Sequence, residues 1–307
     1  MLGKFRWLWL GAMVLGCIFQ NTPVWSQNPG EPAGPGTVTN GPVGGQKEIA
    51  PPTYQEFTDL IAGNPMDIQV VEKFLNPGGW EDYLANMGQI WNRFEQKSLK
   101  PMRAWAGREL GHPEAVSRTV LYPFSGPDVV NMLAFFPQAQ TYLMLALEPV
   151  GTLPVLRPGE NEPFFQGLEE ALNEMLHFNF FFTKRMEKNL VKKELDGVLP
   201  VLLFFLGREQ VKVQEISYWL MAPDGSITTR PAAAGEQLAG PGIPGVKIVF
   251  RRQEGAPAQT LYYFRFNLLN TSWRQHPHFI KFLETLAPYQ TFVKAASYLM
   301  FKPRFGD

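Results

Sequence analysis

The sequence predicts an α/β fold: a Rossmann-like mixed sheet, parallel in its first half and antiparallel in its second, with a helical N-terminal segment. Three observations carry this expectation. Residues 54–110 place their apolar side chains at helical spacing and show no strand pattern. Residues 119–147 read as strand, helix, strand, the order of a parallel pair joined by a crossover. Beyond residue 210 the apolar period drops toward two, and turn signals separate the runs.

The chain opens on an export signal over residues 1–26. Lys4 and Arg6 precede an uncharged run from Trp7 to Phe19. Val24 and Ser26 then stand third and first before a cleavage point at Gln27. The apolar run is shorter than the roughly 20 residues a spanning helix needs. Cys17, the single cysteine, ends the stretch Val14-Leu15-Gly16-Cys17. That stretch resembles the lipobox of bacterial lipoproteins, which implies lipidation at Cys17. A cysteine that merely sits in the signal core is the alternative, and the sequence leaves both open.

Past the signal there is no cysteine, hence no disulfide, thiolate nucleophile or Cys-ligated metal. An exported chain without disulfides points to a bacterial envelope, periplasmic or lipid-anchored. Residues 27–52 hold six Gly and six Pro with almost no apolar content, which predicts a disordered tether.

Residues 53–117 form the expected helical lead-in. Tyr54, Phe57, Leu60 and Ile61 make one stripe; Trp80, Tyr83, Leu84, Met87, Trp91 and Phe94 make a longer one, with Glu81 and Asp82 on its wet side. Pro101 is expected to interrupt, and a further helix runs to about Leu110. The α/β domain then spans 118–307. Thr119–Pro123 predicts a strand, Asp128–Phe136 a short helix, and Tyr142–Leu147 a strand buried on both faces, because its apolar run is unbroken. A long helix is expected over about 164–190, with Glu169 and Glu170 on its wet side. Val198–Leu206 is apolar throughout and is expected as another strand. Pro223-Asp224-Gly225 marks a hairpin turn, and Val246–Arg251 with Thr260–Asn267 reads as a second antiparallel pair. Helices around 277–286 and 289–299 close the chain.

The candidate site is Tyr122-Pro123-Phe124-Ser125-Gly126-Pro127-Asp128 together with Glu148. The loop joins a strand's carboxyl end to a helix's amino end, where free N–H groups favour a polar or anionic ligand. Glu148, about 20 residues on, ends the next strand, where doubly wound folds hold ribose hydroxyls. Over about residues 118–151 this resembles the first motif of class I S-adenosylmethionine-dependent methyltransferases. The resemblance implies cofactor-binding roles for Ser125, Gly126, Asp128 and Glu148. The loop departs from it in having one glycine, with Pro127 removing a donor beside it. The structural alternative gives Ser125 to the helix cap, Asp128 to its first turn and Gly126 to the bend.

A second resemblance covers most of the chain past residue 110. Tyr122–Asp128, Ala134-Phe-Phe-Pro137, Leu147–Gly151 and Lys294–Met300 resemble an uncharacterised family of exported bacterial proteins. It implies no activity, and such proteins are expected to continue beyond Phe305.

Basic and acidic residues number 28 each; without Lys4 and Arg6 the mature chain carries 26 against 28, a formal −2. That charge gives no footprint for nucleic acid, and leaves the membrane reachable only through a lipid anchor. His276-Pro277-His278 lacks a third metal ligand nearby, so no metal is expected. Trp80, Trp91 and Trp105 fit core packing better than a sugar platform. Lys184, Arg185, Lys188, Lys192 and Lys193 read as the solvated end of the long helix. No hydrolase, zincin or phosphate-loop signature is present, and no catalytic residue stands out. The expected function is a non-catalytic binding or scaffold protein of the envelope, without a cofactor, whose partner is a small ligand or an envelope protein. The alternative is a methyltransferase-like enzyme holding a nucleoside-type cofactor at the Gly126 loop.

Overall fold

The computed structural model describes residues 51–75, 77–110, 118–157, 159–178 and 195–293. The expectations for the signal, Cys17, most of the tether and the basic cluster 184–193 lie outside these residues.

Thr53 starts α1 (Tyr54–Ala62) with a reciprocal capping box. Its hydroxyl accepts from the Glu56 amide at 3.2 Å, and the Glu56 carboxylate accepts from the Thr53 amide at 2.7 Å. Next come α2 (Ile68–Phe74) and α3 (Pro77–Phe94). The expected break at Pro101 does not occur. A π-helical turn, Glu95–Leu99, carries α3 directly into α4 (Lys100–Glu109), and Pro101 sits in the first turn of α4. Proline there lacks an amide and its ring crowds the carbonyl four residues back. The wider π turn accommodates both, so the helix continues.

A seven-stranded sheet follows, with strand order β4-β3-β5-β6-β2-β1-β7. Its parallel part begins with β1 (Thr119–Pro123), α5 (Val129–Phe135) and β2 (Thr141–Ala146), with Thr119 opposite Thr141. Strands β3 (Lys212–Met221), β4 (Ile227–Pro231), β5 (Ile243–Arg251) and β6 (Gln259–Arg265) form antiparallel neighbours, with the first turn at Pro223-Asp224-Gly225 as expected. Strand β6 also pairs parallel with β2, which joins the two halves into one mixed α/β sheet.

Strand β2 is buried on both faces. Tyr142, Met144 and Ala146 enter one apolar cluster, while Leu143 and Leu145 enter the other. The first cluster takes side chains from α1, α3, α5 and α6 (Glu162–Phe178) and from α7 (Leu199–Arg208). The second takes Phe279 and Leu283 of α9 (Pro277–Thr285), with α8 (Asn270–Gln275) leading in.

Two expected elements change type. Residues 198–206, expected as a strand, form most of helix α7. A uniformly apolar run carries no period, so composition decides: Val201 is its only β-branched residue inside the helix, and Pro200 suits a first turn. Every residue from Leu199 to Gly207 is buried. Each large apolar side chain buried there contributes about 1.5–3 kcal/mol. The helix expected over 289–299 is, at its start, an edge strand β7 (Tyr289–Thr291) parallel to β1; residues 294–299 lie outside the described ones.

Candidate functional site

The sheet brings the sequence-derived candidates to one edge. Pro123 and Leu145 are register partners, so the 124–128 loop and Glu148 both leave the carboxyl ends of adjacent parallel strands. The Ser125 amide donates to the Leu145 carbonyl at 3.2 Å and extends the ladder by one step. Phe124 and Gly126 both adopt left-handed φ of 58°, folding the loop back over the strand ends.

The polarity of this edge is inverted for a nucleoside site. Ser125, Asp128 and Glu148 are 1, 3 and 2% exposed, while the side chains facing solvent are Phe124 at 75% and Leu147 at 46%. Asp128 accepts from Asn131 Nδ2 at 2.8 Å, a bond inside the wall. Glu148 is tied toward β6: the Tyr263 hydroxyl donates to its backbone carbonyl at 3.0 Å. Burial, with the Glu148 charge adding to it, pushes the Tyr263 phenol well above its usual range.

The capping role read for Ser125 is not realised. Asp128 is the N-cap of α5 and makes no side-chain cap bond, and Ser125 Oγ is buried with no hydrogen-bond partner. Gly126 does make the bend. Helix α5 has only seven residues, two turns with little dipole to offer a ligand.

An open concavity lies elsewhere, between α3 and α6, with a volume of about 490 Å³. Each helix presents an i, i+3, i+4, i+7 face to it: Gly79, Asp82, Tyr83 and Asn86 from α3, and Glu162, Phe165, Gln166 and Glu169 from α6. Its inner wall is aromatic. Tyr83 lies 5.6 Å from Trp80 and 4.8 Å from Phe165, centroid to centroid. Its rim carries carboxylates and amides. Asn86 Nδ2 donates across the cleft to Glu169 at 3.5 Å, Gln166 Nε2 donates to Glu162 at 2.9 Å, and Asn161 Nδ2 donates to the Arg157 carbonyl at 2.7 Å. The sequence placed Asp82 and Glu169 on the wet sides of their helices, but not beside each other.

The tryptophans serve separate packing sites. Trp91 packs on Phe94, Phe204 and Phe205, Trp105 packs on Phe135, and Trp80 alone reaches the cleft. His276 packs its ring 5.8 Å from Phe266. Among the described residues no group of three His, Cys, Asp or Glu is placed to hold a metal ion. No described helix is long and apolar enough to cross a membrane. No protein-family model, curated protein or solved structure matches the chain.

Proposed function

We propose that the chain is an exported, non-catalytic binding protein of the bacterial cell envelope that takes its ligand in the cleft between α3 and α6. The observation behind this reading is the contrast between the strand ends and the α3–α6 cleft. At the strand ends the polar side chains are buried and the exposed ones are apolar. In the α3–α6 cleft an apolar wall is ringed by polar groups, the arrangement that binds small molecules. Among its described lining residues no Ser, Thr, Cys, Lys or His stands beside a base, so binding rather than turnover is the chemistry the cleft fits.

The export half of the proposal rests on the ordering of Lys4, Arg6, the apolar run and the small residues before Gln27. Fractionation and intact mass test it. A periplasmic protein beginning at Gln27 supports simple secretion. A membrane-retained protein released by Cys17→Ser supports lipidation. An uncleaved cytoplasmic chain overturns export.

The binding half is tested by thermal unfolding against a panel of sugars, amino acids and amines. Gln166→Trp fills the cleft from an exposed position, and any ligand-induced rise in the midpoint should disappear in it. A rise that survives the substitution places the ligand elsewhere.

The second reading, a methyltransferase-like site at Gly126 and Glu148, is favoured only by their position on adjacent parallel strand ends. It requires that S-adenosylmethionine raise the midpoint and that Glu148→Gln weaken the effect roughly tenfold or more. No shift at millimolar cofactor discards it.

A further inference from the structure

The cleft also specifies a ligand class, an inference that rests on its being the binding site. We propose that it takes a linear aliphatic polyamine. Asp82, Glu162 and Glu169 border the cleft, and among the described residues no lysine, arginine or histidine lines it. Among the described residues none of these three carboxylates forms an ion pair, although Lys and Arg elsewhere pair with Glu95, Glu209 and Glu215. A ligand bearing ammonium groups complements the three acidic groups around the concavity.

Spacing narrows the class. Glu162 and Glu169 stand seven residues apart on one face of α6, which a rise of 1.5 Å per residue converts to about 10 Å. A compact monocation meets one of them. A chain of ammonium groups separated by three or four methylenes reaches both, with Asp82 on the facing helix. The wall formed by Trp80, Tyr83 and Phe165 gives the methylene runs an apolar surface. Hydrogen-bonding capacity remains on the rim. Gln166 donates to Glu162 and keeps its own carbonyl oxygen as an acceptor, and each carboxylate accepts more bonds than it now holds.

A neutral sugar fits less well. A neutral sugar brings no charge to the three carboxylates on the rim. The acidic groups have structural uses as well, since Glu162 lies in the first turn of α6. That use explains one carboxylate and not the convergence of three.

The test titrates the full chain, purified as the cell processes it, with spermidine, tetramethylammonium and maltotriose, by calorimetry and thermal unfolding. Spermidine should bind at one site, at least tenfold tighter than tetramethylammonium, and weaken as salt rises. Asp82→Asn, Glu162→Gln and Glu169→Gln should each weaken it roughly tenfold. Glu81→Gln, on α3 but outside the cleft, should leave the affinity unchanged. Equal weakening by Glu81→Gln reduces the effect to general surface charge and overturns the proposal. Tetramethylammonium binding as tightly as spermidine overturns the linear-polyamine class. Binding of maltotriose, abolished by Gln166→Trp, without binding of spermidine overturns the ligand class and leaves the cleft as the site. Spermidine binding that Gln166→Trp leaves intact overturns the cleft itself.

Discussion

Ser125 Oγ is buried beside the strand ends, and no hydrogen-bond partner reaches it. A buried hydroxyl without a partner carries a desolvation penalty of about 1–3 kcal/mol, partly offset by its packing. Ser125→Ala is therefore expected to leave stability unchanged or raise it by up to about 1 kcal/mol. A true cap would instead lose about 0.5–2 kcal/mol, so a urea titration separates the two roles. Gly126 gives the opposite sign. Its φ of 58° is left-handed, and a Cβ there costs about 1–2 kcal/mol. Gly126→Ala should lower the urea midpoint while Ser125→Ala does not. If both substitutions lower it equally, the loop is held by contacts other than those seen here.

At the scale of elements, α7 decides how the helical layer closes. Gly207 lies where α1 crosses α7, and a Cβ added there would stand 2.4 Å from the Ala62 Cβ and 2.9 Å from the Thr58 carbonyl oxygen. The backbone carbonyl cannot yield without moving α1. Gly207→Ala should cost about 1–3 kcal/mol by overpacking, read as a drop in the chemical unfolding midpoint. A neutral outcome would mean that α1 shifts freely. That is hard to reconcile with Tyr54 donating to the Ala232 carbonyl at 2.9 Å and Gln55 accepting from the Val213 amide at 2.7 Å. Beside it the Glu209 carboxyl, its pKa pushed up by burial and pulled back by Arg103 and Arg252, links the end of α7 to α4 and to the turn after β5.

For the whole molecule, buried tyrosines set the alkaline limit. Burial pushes Tyr218 up to about 12, with its oxygen accepting from the Leu153 amide at 3.0 Å. Burial also raises Tyr83, Tyr142 and Tyr263 above the usual 10.0. A phenol whose folded pKa exceeds its unfolded one contributes stability that is complete below the unfolded pKa. That contribution falls as pH climbs through the folded value. The denaturation free energy should therefore hold up to about pH 10 and decline steeply toward pH 12. Ultraviolet titration should show these phenols ionising only as the protein unfolds. Early, independent ionisation of most tyrosines would contradict the burial that holds both faces of the sheet.

The sequence by itself determined the elements whose signal is local. The helical stripe of Tyr54, Phe57, Leu60 and Ile61, the hairpin turn at Asp224-Gly225 and the unbroken run of β2 each report one segment's own environment. The mixed α/β sheet followed from them. Tertiary structure decided the rest. Residues 199–207 are apolar on every side, so no period marks them as helical, and their fate depended on the layer that surrounds them. Residues 289–291 became a strand because the edge of β1 stood open beside them. The same reason hid the cleft. Asp82 and Glu169 each look like a solvated residue on one helix, and only the packing of α3 on α6 sets them around one concavity. Periodicity states which face of an element is buried, but not which element it meets.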